Sequence, residues 1–420
     1  MVALPETGLK AAELRLPRTD AEREAIAFVL ALGKALHRYG TSANRLEECI
    51  ITCCRELELD DAEVFSTPTT IIMSFGEPVE LRTRMMRVEG GELDMGKLAQ
   101  VDRLADQVIA HEITAAAGLA RLDEIIAAPR RYGRVVSTCM HGVTAGALAV
   151  FFGGSLPDVA AAAMIGLALG VLAQVVKRST DQARVFELIG AAFAAFAAGL
   201  ISAVWPAVRP SLATVAALIV LLPGMSLTVA MTELATRNPI AGTARLMSAV
   251  IVLLELVVGV AIGERLVLAI VDVHQRTPAP LPEVARWVAL VASAIGVSIV
   301  VQAAPRAFGW ILAACFVGYV GTRTGTAWLG TDLGVLVGAF GLGVLANAYA
   351  RWLDRPAQVV LVPAVLLLVP GSMGFRGMSS LLGHDTLTGV ETLFAMFIVA
   401  IAIVAGLLVA NAVVSPRRIL

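Results

Sequence analysis

Ten stretches of predominantly apolar residues constrain the fold of this chain more than any other feature. They lie at 135–153, 158–176, 186–205, 212–231, 243–262, 286–304, 308–322, 332–350, 357–374 and 389–411. A transmembrane α-helix needs about 20 such residues, and every stretch except the short seventh one approaches or reaches that length. The pattern predicts a multi-pass membrane domain made of ten helices.

Charged residues are concentrated ahead of the first apolar stretch. Residues 1–134 contain 39 charged side chains, whereas the remaining 286 residues contain 28. The mean hydropathy of +0.79 is too high for a single soluble core, and a net charge of −1 gives no electrostatic basis for binding nucleic acid. The predicted fold class is therefore mainly α, with a small cytosolic α+β domain at 1–130 followed by the ten-helix membrane domain.

The N-terminal domain shows helical periodicity in four segments and β-favouring residues between them. The helices are expected to start at Asp20, at Thr41 or Ser42, at Asp94 and at Thr114. Ser, Thr and Asp at these positions are good helix caps, and residues 64–75 predict two or three short strands. We expect no cleaved secretory signal, because no apolar segment precedes the first helix.

The five cysteines give no sign of a disulfide framework. They are Cys49, Cys53, Cys54, Cys139 and Cys315. Their odd number and irregular spacing fit a reducing cytosol around the N-terminal domain. Cys49 and Cys53 are one helical turn apart, but no histidine or acidic residue completes a metal site. We predict buried core cysteines, with neither a metal nor a cofactor.

A catalytic N-terminal domain is the alternative from a different class of function. His37, Ser66, Thr67 and His111 are a potential nucleophile and base, but no nucleophile-elbow or HExxH pattern accompanies them. We therefore predict no catalytic residue and interpret the domain as a structural or regulatory cap. A membrane-anchored enzyme remains an open alternative.

The membrane domain contains an internal repeat. A shift of 147 residues places Pro223 on Pro370, Gly224 on Gly371 and Gly242 on Gly389. Each copy holds five apolar stretches, and an odd number of crossings starts the second copy from the opposite face. We predict two inverted five-helix repeats, as in many secondary transporters. The expected boundaries are 131–265 and 286–413 for the repeats, 266–285 for the linker and 414–420 for a cytoplasmic tail.

The Pro-Gly pairs interrupt the fourth and ninth apolar stretches. Proline removes a backbone donor and glycine adds backbone freedom, and lipid cannot satisfy the freed polar groups. Free N–H groups after each break favour a carboxylate and free carbonyls before it favour an ammonium group, which suits a zwitterionic amino acid. The predicted substrate site comprises Pro223, Gly224, Met225, Ser226, Pro370, Gly371, Ser372 and Asn347. The alternative is that each pair only kinks a packed helix.

Three charged residues in or near the apolar stretches need a reason, because burying an ionisable side chain in a bilayer is costly. Glu255 lies in the middle of the fifth stretch, and Glu233 lies two turns after the first break. We predict that Glu233 or Glu255 is the proton-coupling carboxylate, with Arg245 as a nearby charge. The structural alternative is a static ion pair of Glu233 with Arg237 or Arg245.

The loop cations set the expected orientation. Thirteen arginines and lysines fall on one side of the predicted spans and six on the other. Because cytoplasmic loops carry the excess of positive charge, both termini are expected to be cytoplasmic.

Four segments resemble the threonine/serine exporter family. They are LALGKALHRYGTSANRLEECI with VFSTPTTIIMSF, then VDRLADQVIAHEITAAAGLARLDEI, then LLPGMSLTVAMTELATRNPIAGTARL, and finally VPGSMGFRGMSSLL. The resemblance implies a proton-motive-force-driven exporter of threonine or serine in the cell inner membrane, with a cytoplasmic N-terminal domain. The matched positions are Pro223, Gly224, Glu233, Gly242, Arg245, Pro370 and Gly371. Related sequences often have an amide at the position of Ala230, which this chain lacks.

The resemblance leaves other substrates and partners open. Family members split into two polypeptides are associated with dicarboxylate export, so a small dicarboxylate exporter is the first alternative, and a passive channel is another. The partners expected are a small amino acid, protons and the lipid bilayer, and a homo-oligomer is possible.

Overall fold

The computed structural model describes residues 20–59, 61–76, 81–88, 91, 93–176, 185–271, 279–368 and 371–415. Over these residues the protein is mainly helical, with one small antiparallel sheet near the N-terminus. The fold class predicted from sequence is thus confirmed in its mainly α character and in the presence of a small sheet.

The N-terminal part, which we call the head, contains four helices and three strands within residues 20–127 as far as the structure describes them. They are α1 (Asp20–Arg38), α2 (Ala43–Glu56), β1 (Glu63–Ser66), β2 (Thr70–Phe75), β3 (Arg82–Arg87), α3 (Met95–Ile109) and α4 (Ala115–Ala127). The helix starts agree with the sequence pattern. Asp94 accepts a hydrogen bond from the Lys97 N–H at 2.8 Å, and Thr114 accepts one from the Ala117 N–H at 3.2 Å, as expected of N-cap residues.

The sheet of the head has the order β1-β2-β3, with both pairs antiparallel. Ile71 and Met73 on the central strand are fully buried against the helices, and so are Phe28, Leu32 and Leu98. All five cysteines are free. Cys49, Cys53, Cys54 and Cys315 are buried and Cys139 is exposed. Three of the buried thiols therefore serve as core residues of the head.

The remaining helices form the membrane part. They are α5 (Arg134–Phe151), α6 (Leu156–Val176), α7 (Phe186–Val204), α8 (Pro210–Leu218), α9 (Gly224–Ala235), α10 (Pro239–Leu268), α11 (Val284–Val300), α12 (Phe308–Leu329), α13 (Val335–Leu353), α14 (Gln358–Leu368), α15 (Gly371–Leu382) and α16 (Thr386–Val413). Every apolar stretch predicted from the sequence overlaps at least one of these helices.

Seven helical segments among the described residues are long and apolar enough to cross a membrane. They are α5, α6, α7, α10, α13, α16 and the stretch Gln358–Leu382, which runs over residues 369 and 370 outside the described set. The helix Val284–Val300 is apolar but shorter, and α8 and α9 have only 9 and 12 residues. The count of ten spans therefore stays a prediction.

Helix packing in the two halves of the membrane part uses corresponding contacts. In the first half α10 packs on α7 and α9, and in the second half α16 packs on α13 and α15. A Cβ atom on Gly406 would lie 2.5 Å from the Leu336 carbonyl oxygen, and one on Gly259 would likewise collide with the Leu188 carbonyl oxygen. Both glycines therefore let two helix backbones approach closely.

A second pair of glycines obeys the shift of 147 residues. A Cβ atom on Gly242 would lie 2.7 Å from Leu234, and one on Gly389 would lie 2.6 Å from Leu381. Both the glycine and its contact are displaced by 147 positions, so the two halves share packing detail beyond the motif itself.

Hydrogen bonds join the head, and the segment that follows it, to the loop after α11. The Met95 N–H, at the start of α3, donates to the Val301 carbonyl at 2.9 Å. The Tyr132 N–H donates to the Gln302 side-chain oxygen at 2.9 Å, and the Tyr132 hydroxyl donates to the Ala303 carbonyl at 3.0 Å. Buried apolar residues of the head and of α11–α14 also form one continuous cluster.

Candidate functional site

The first interruption separates α8 from α9. Helix α8 ends at Leu218 and α9 begins at Gly224, with Pro223 in the N-cap position. The Gly224 N–H donates to the Leu222 carbonyl at 2.8 Å, whereas the N–H groups of Met225 and Ser226 donate to no described residue. Open donors at a helix N-terminus favour an anionic group; the substrate role of this break stays a prediction.

The second interruption separates α14 from α15. Helix α14 ends at Leu368 and α15 begins at Gly371; Pro370 lies outside the described residues, so its predicted role is untested. Helix α9 packs against both α14 and α15. The helices that flank the two breaks are therefore in direct contact.

A cavity of about 210 Å³ is bordered by residues from both interruptions. Ile219 follows α8, Leu368 ends α14, and Ser372 lies in the first turn of α15. Its polar lining includes Thr322, whose Oγ1 is buried and has no hydrogen-bond partner among the described residues. We call this space the central cavity. No charged side chain lines it in the described part of the chain.

A second cavity, of about 340 Å³, lies between the head and the membrane part. Helix α9 contributes Met225, Thr228 and Thr232, its C-cap residue Thr236 also lines the cavity, and the other membrane helices contribute Asn347, Gln358 and Asn411 among others. The head contributes Gly40, Ser42, Asn44, Arg45 and Glu48. We call this space the vestibule. Predicted site residues Met225 and Asn347 line the vestibule, whereas Ser372 lines the central cavity.

Glu233 on α9 is fully buried and is held by both parts of the molecule. The Arg245 guanidinium, on α10, donates to it twice, Nε to Oε2 at 3.0 Å and Nη2 to Oε1 at 3.0 Å. The Ala43 N–H, in the first turn of α2 in the head, donates to Oε1 at 3.2 Å. Charge-assisted bonds of this kind are the strong ones. The structure thus brings Glu233 and Arg245 together, and Arg237 is not the partner.

Two titratable groups of the head lie beside this ion pair. Burial lowers the pKa of His37, and the positive charge of Arg245 lowers it further. The buried His37 Nδ1 has no hydrogen-bond partner among the described residues. Burial raises the pKa of Glu47, the hydrogen bond from the Ser66 N–H opposes that rise, and the negative charge of Glu233 adds to it. This contact of the head with Glu233 and Arg245, which we call the junction, therefore holds a charged pair in a largely desolvated environment.

The other predicted charge and amide behave differently. Glu255 in the middle of α10 makes no hydrogen bond or ion pair with a described residue, and it lines neither cavity. The Asn347 amide nitrogen donates to the Asn411 side-chain oxygen and to the Val414 carbonyl, both at 2.8 Å. Glu255 is thus not brought to the site, and Asn347 reaches only the vestibule.

The sequence reasoning missed a second buried ion pair. Asp158 at the start of α6 is fully buried and accepts from Arg209 Nε at 3.1 Å and Nη2 at 2.8 Å. The Ser155 N–H and hydroxyl donate to the same carboxylate at 2.8 and 2.7 Å. A local signal was available, since Ser155 and Asp158 have the spacing of a capping box.

Among the described residues, no hydrogen bond joins His37 or His111 to the hydroxyl of Ser66 or Thr67. Thr67 Oγ1 donates to the Thr70 carbonyl at 3.1 Å and accepts from the Thr70 N–H at 3.0 Å. His37 lies beside the backbone of Thr67 and Pro68, and His111 follows α3 in a left-handed conformation with φ of 55°. Among the described residues no group of three or more histidine, cysteine and acidic side chains is placed to hold a metal ion.

Comparison with known proteins identifies relatives over most of the chain. Two models of the threonine/serine exporter family match residues 27–267 and 284–413. The curated relatives include proteins named pheromone-regulated membrane protein 10. That of Zygosaccharomyces rouxii is 26% identical over 93% of this chain and 43% of the relative. That of Eremothecium gossypii is 27% identical over 83% of this chain and 48% of the relative.

The counterpart in Saccharomyces cerevisiae is 26% identical over 84% of this chain and 47% of the relative. The chain thus spans about half the length of the curated relatives it matches. No solved structure matches it. The matches and the apolar helices identify a membrane protein.

Proposed function

We propose that this chain, which belongs to the threonine/serine exporter family, exports small neutral amino acids against proton entry by alternating access. The observation that carries the proposal is the central cavity, which both helix interruptions border. Where two interrupted helices meet at one cavity, their unpaired backbone donors and acceptors can form hydrogen bonds with a solute.

The size and lining of the central cavity favour a small zwitterion. Drug-sized ligands occupy pockets of about 300–1,000 Å³, so a cavity of about 210 Å³ suits a solute of few non-hydrogen atoms. A dicarboxylate needs positive side chains at its site. Arg245 is engaged with Glu233, and Arg376 lies over the Phe152 ring, 4.8 Å from its centroid. These contacts favour threonine or serine over a dianion.

Glu233 is the carboxylate that we propose for proton coupling. Protonation would remove its negative charge and so weaken the charge-assisted bonds from Arg245 and from the Ala43 N–H. Because α9 begins at the Pro-Gly break, loosening Glu233 would free both the head and the helix that starts at the first interruption. Proton binding and opening of the head side would then be linked through one residue.

An inverted repeat supplies the symmetry that alternating access requires. The support is the equivalent packing of α7 with α10 and of α13 with α16, together with the glycine contacts displaced by 147 residues. Exchange of two similar arrangements between the halves would open the central cavity first to one side and then to the other. We further propose that the head faces the cytoplasm in the cell inner membrane, as the excess of loop cations on its side favours.

Counterflow of labelled threonine in proteoliposomes tests this proposal. Purified protein should accumulate the label, and an imposed pH gradient should accelerate net flux. Unlabelled serine should compete and succinate should not. Competition by succinate in place of serine would favour the dicarboxylate exporter. Equal flux with and without the gradient would favour a passive channel.

A further inference from the structure

The vestibule has the composition of a binding site in its own right. It is lined by three threonines on one face of α9, by amides from α13, α14 and α16, and by an ion pair from the head. Its volume of about 340 Å³ is near the lower end for small-molecule pockets. We propose that the vestibule is a separate site for a small zwitterionic amino acid on the head side of the first break. The identity of the ligand rests on the proposed function.

The threonines of α9 present acceptors to the vestibule. Thr228, Thr232 and Thr236 follow one another by one helical turn, and each hydroxyl donates to the carbonyl four residues earlier, at 3.1, 2.9 and 2.9 Å. With its proton used in this way, a hydroxyl oxygen keeps lone pairs for an incoming donor. A row of such oxygens suits an ammonium group.

The amides of the vestibule are only partly satisfied. The buried Gln358 Oε1 has no hydrogen-bond partner among the described residues. Asn347 donates through its nitrogen to Asn411 and Val414, and its own oxygen accepts from no described residue. Buried polar atoms without partners are costly unless water or a ligand satisfies them. The buried Gln358 oxygen therefore adds an acceptor to the site.

The head supplies the two charges that a zwitterion needs. Arg45 and Glu48 form an ion pair at 3.3 Å, one turn apart on α2. Arg45 is 20% exposed, whereas Arg23, in the same type of pair with Asp20 at the start of α1, is 47% exposed. A guanidinium binds a carboxylate well, and Glu48 can receive the ammonium group. Apolar residues such as Val229 and Leu361 complete a pocket for a short side chain.

The position of the vestibule gives it a role before the central cavity. Met225, the residue after Gly224, lines the vestibule, while Ile219 on the other side of the break lines the central cavity. Both cavities are therefore adjacent to the first interruption. The head is then part of the solute path, since five of its residues line this site.

Protection of an introduced thiol tests for the site without relying on transport. Thr232→Cys would be made in a Cys139→Ser background, because Cys139 is exposed. Threonine at ten times its Kd should slow labelling of the full-length protein by a maleimide about tenfold. Thr243→Cys is the matched control, since Thr243 is exposed at the start of α10 and makes the same type of bond, to the Pro239 carbonyl at 2.6 Å. Its labelling should not respond to threonine.

Direct threonine binding supplies the second measurement. Arg45→Ala should weaken binding about tenfold, the loss expected for one charge-assisted hydrogen bond, and Arg23→Ala should leave it unchanged. Threonine-driven counterflow without protection of Thr232→Cys would overturn the vestibule site while the proposed function stands. Protection of Thr232→Cys without any transport would support the site and remove the proposed function. Equal effects of Arg45→Ala and Arg23→Ala would overturn the role of the head.

Discussion

Asp158 and Glu233 are both fully buried carboxylates, and both bind an arginine that is about a quarter exposed. The remaining bonds of Asp158 come from Ser155, three positions earlier in the chain, and Arg209 also donates to the Gly153 carbonyl at 2.7 Å. The remaining bond of Glu233 comes from Ala43 in the head, 190 residues away. The Asp158 cluster is closed on itself, whereas the Glu233 cluster joins two parts of the molecule.

This difference separates a structural ion pair from one that can report movement. Opening the Asp158 cluster would break a connection between neighbouring loops of the membrane part and nothing else. Opening the Glu233 cluster would release the head from α9 and from Arg245 at the same time. The two buried ion pairs therefore differ in what their opening would release. The partners of Asp158 all lie in the membrane part, whereas one partner of Glu233 lies in the head.

The sharpest test of the comparison is Glu233→Gln. The amide can still accept from the Ala43 N–H but loses its charge, so we expect proton-coupled threonine flux to be abolished. Flux under an imposed pH gradient in proteoliposomes measures this, with elution of the variant as a monodisperse species as evidence of folding. Glu255→Gln is the matched control and should retain coupling. Full coupling in Glu233→Gln would remove that carboxylate from the mechanism.

Asp158→Asn should act on stability and leave the mechanism intact. Removing one partner of a buried ion pair costs about 3–5 kcal/mol, because Arg209 loses its compensating charge. Thermal unfolding in detergent should show a clear loss, while the protein that remains folded should transport threonine with the same pH-gradient dependence. Loss of the gradient dependence in folded Asp158→Asn would mean that the two carboxylates are not distinguished by role.

Matched glycine substitutions test whether the two halves are equivalent. Gly259→Ala and Gly406→Ala each place a methyl group against a helix backbone, and overpacking of this kind costs about 1–3 kcal/mol. The two variants should lose similar stability in thermal unfolding. Gly309→Ala is the control, since a Cβ atom there meets nothing within 4 Å. A loss in one variant only would argue against equivalent halves.

His37→Gln should have the smallest effect, visible only as a change in pH dependence. Burial and the positive charge of Arg245 hold the pKa of His37 below its usual value of about 6.5, so the unfolded state binds the proton more readily. Stability should therefore fall as the pH decreases from 8 to 6. The fall in unfolding temperature over this window should be smaller in His37→Gln, and an unchanged fall would place His37 outside the titrating groups of the junction.

Local features of the fold were predictable from the sequence because their causes are local. Caps at Asp94 and Thr114 and the interruption at Pro223 depend on a few adjacent residues. The Glu233–Arg245 pair was among the alternatives, since both lie close to the loop between α9 and α10. Predicting these features requires only residues that lie within about three helical turns of one another along the chain.

Contacts with the head were not predictable in this way. The bond from Ala43 to Glu233 joins residues 190 positions apart, and the vestibule combines the head with four membrane helices. No spacing rule relates such segments in a single sequence. The Asp158–Arg209 pair is separated by 51 positions, and only the capping half of that cluster carried a local signal.

The central claim is that both interruptions border one cavity that binds the solute. Ser372→Cys, in a chain that also carries Cys139→Ser and Cys315→Ala, places one reporter thiol in that cavity. The other thiols of this variant are Cys49, Cys53 and Cys54, which are buried in the head. A membrane-impermeant thiol reagent would be added to either side of proteoliposomes, with and without threonine. The account predicts labelling from one side at a time, reversed by the pH gradient and suppressed by threonine. Labelling that ignores threonine, or no labelling from either side, would contradict it.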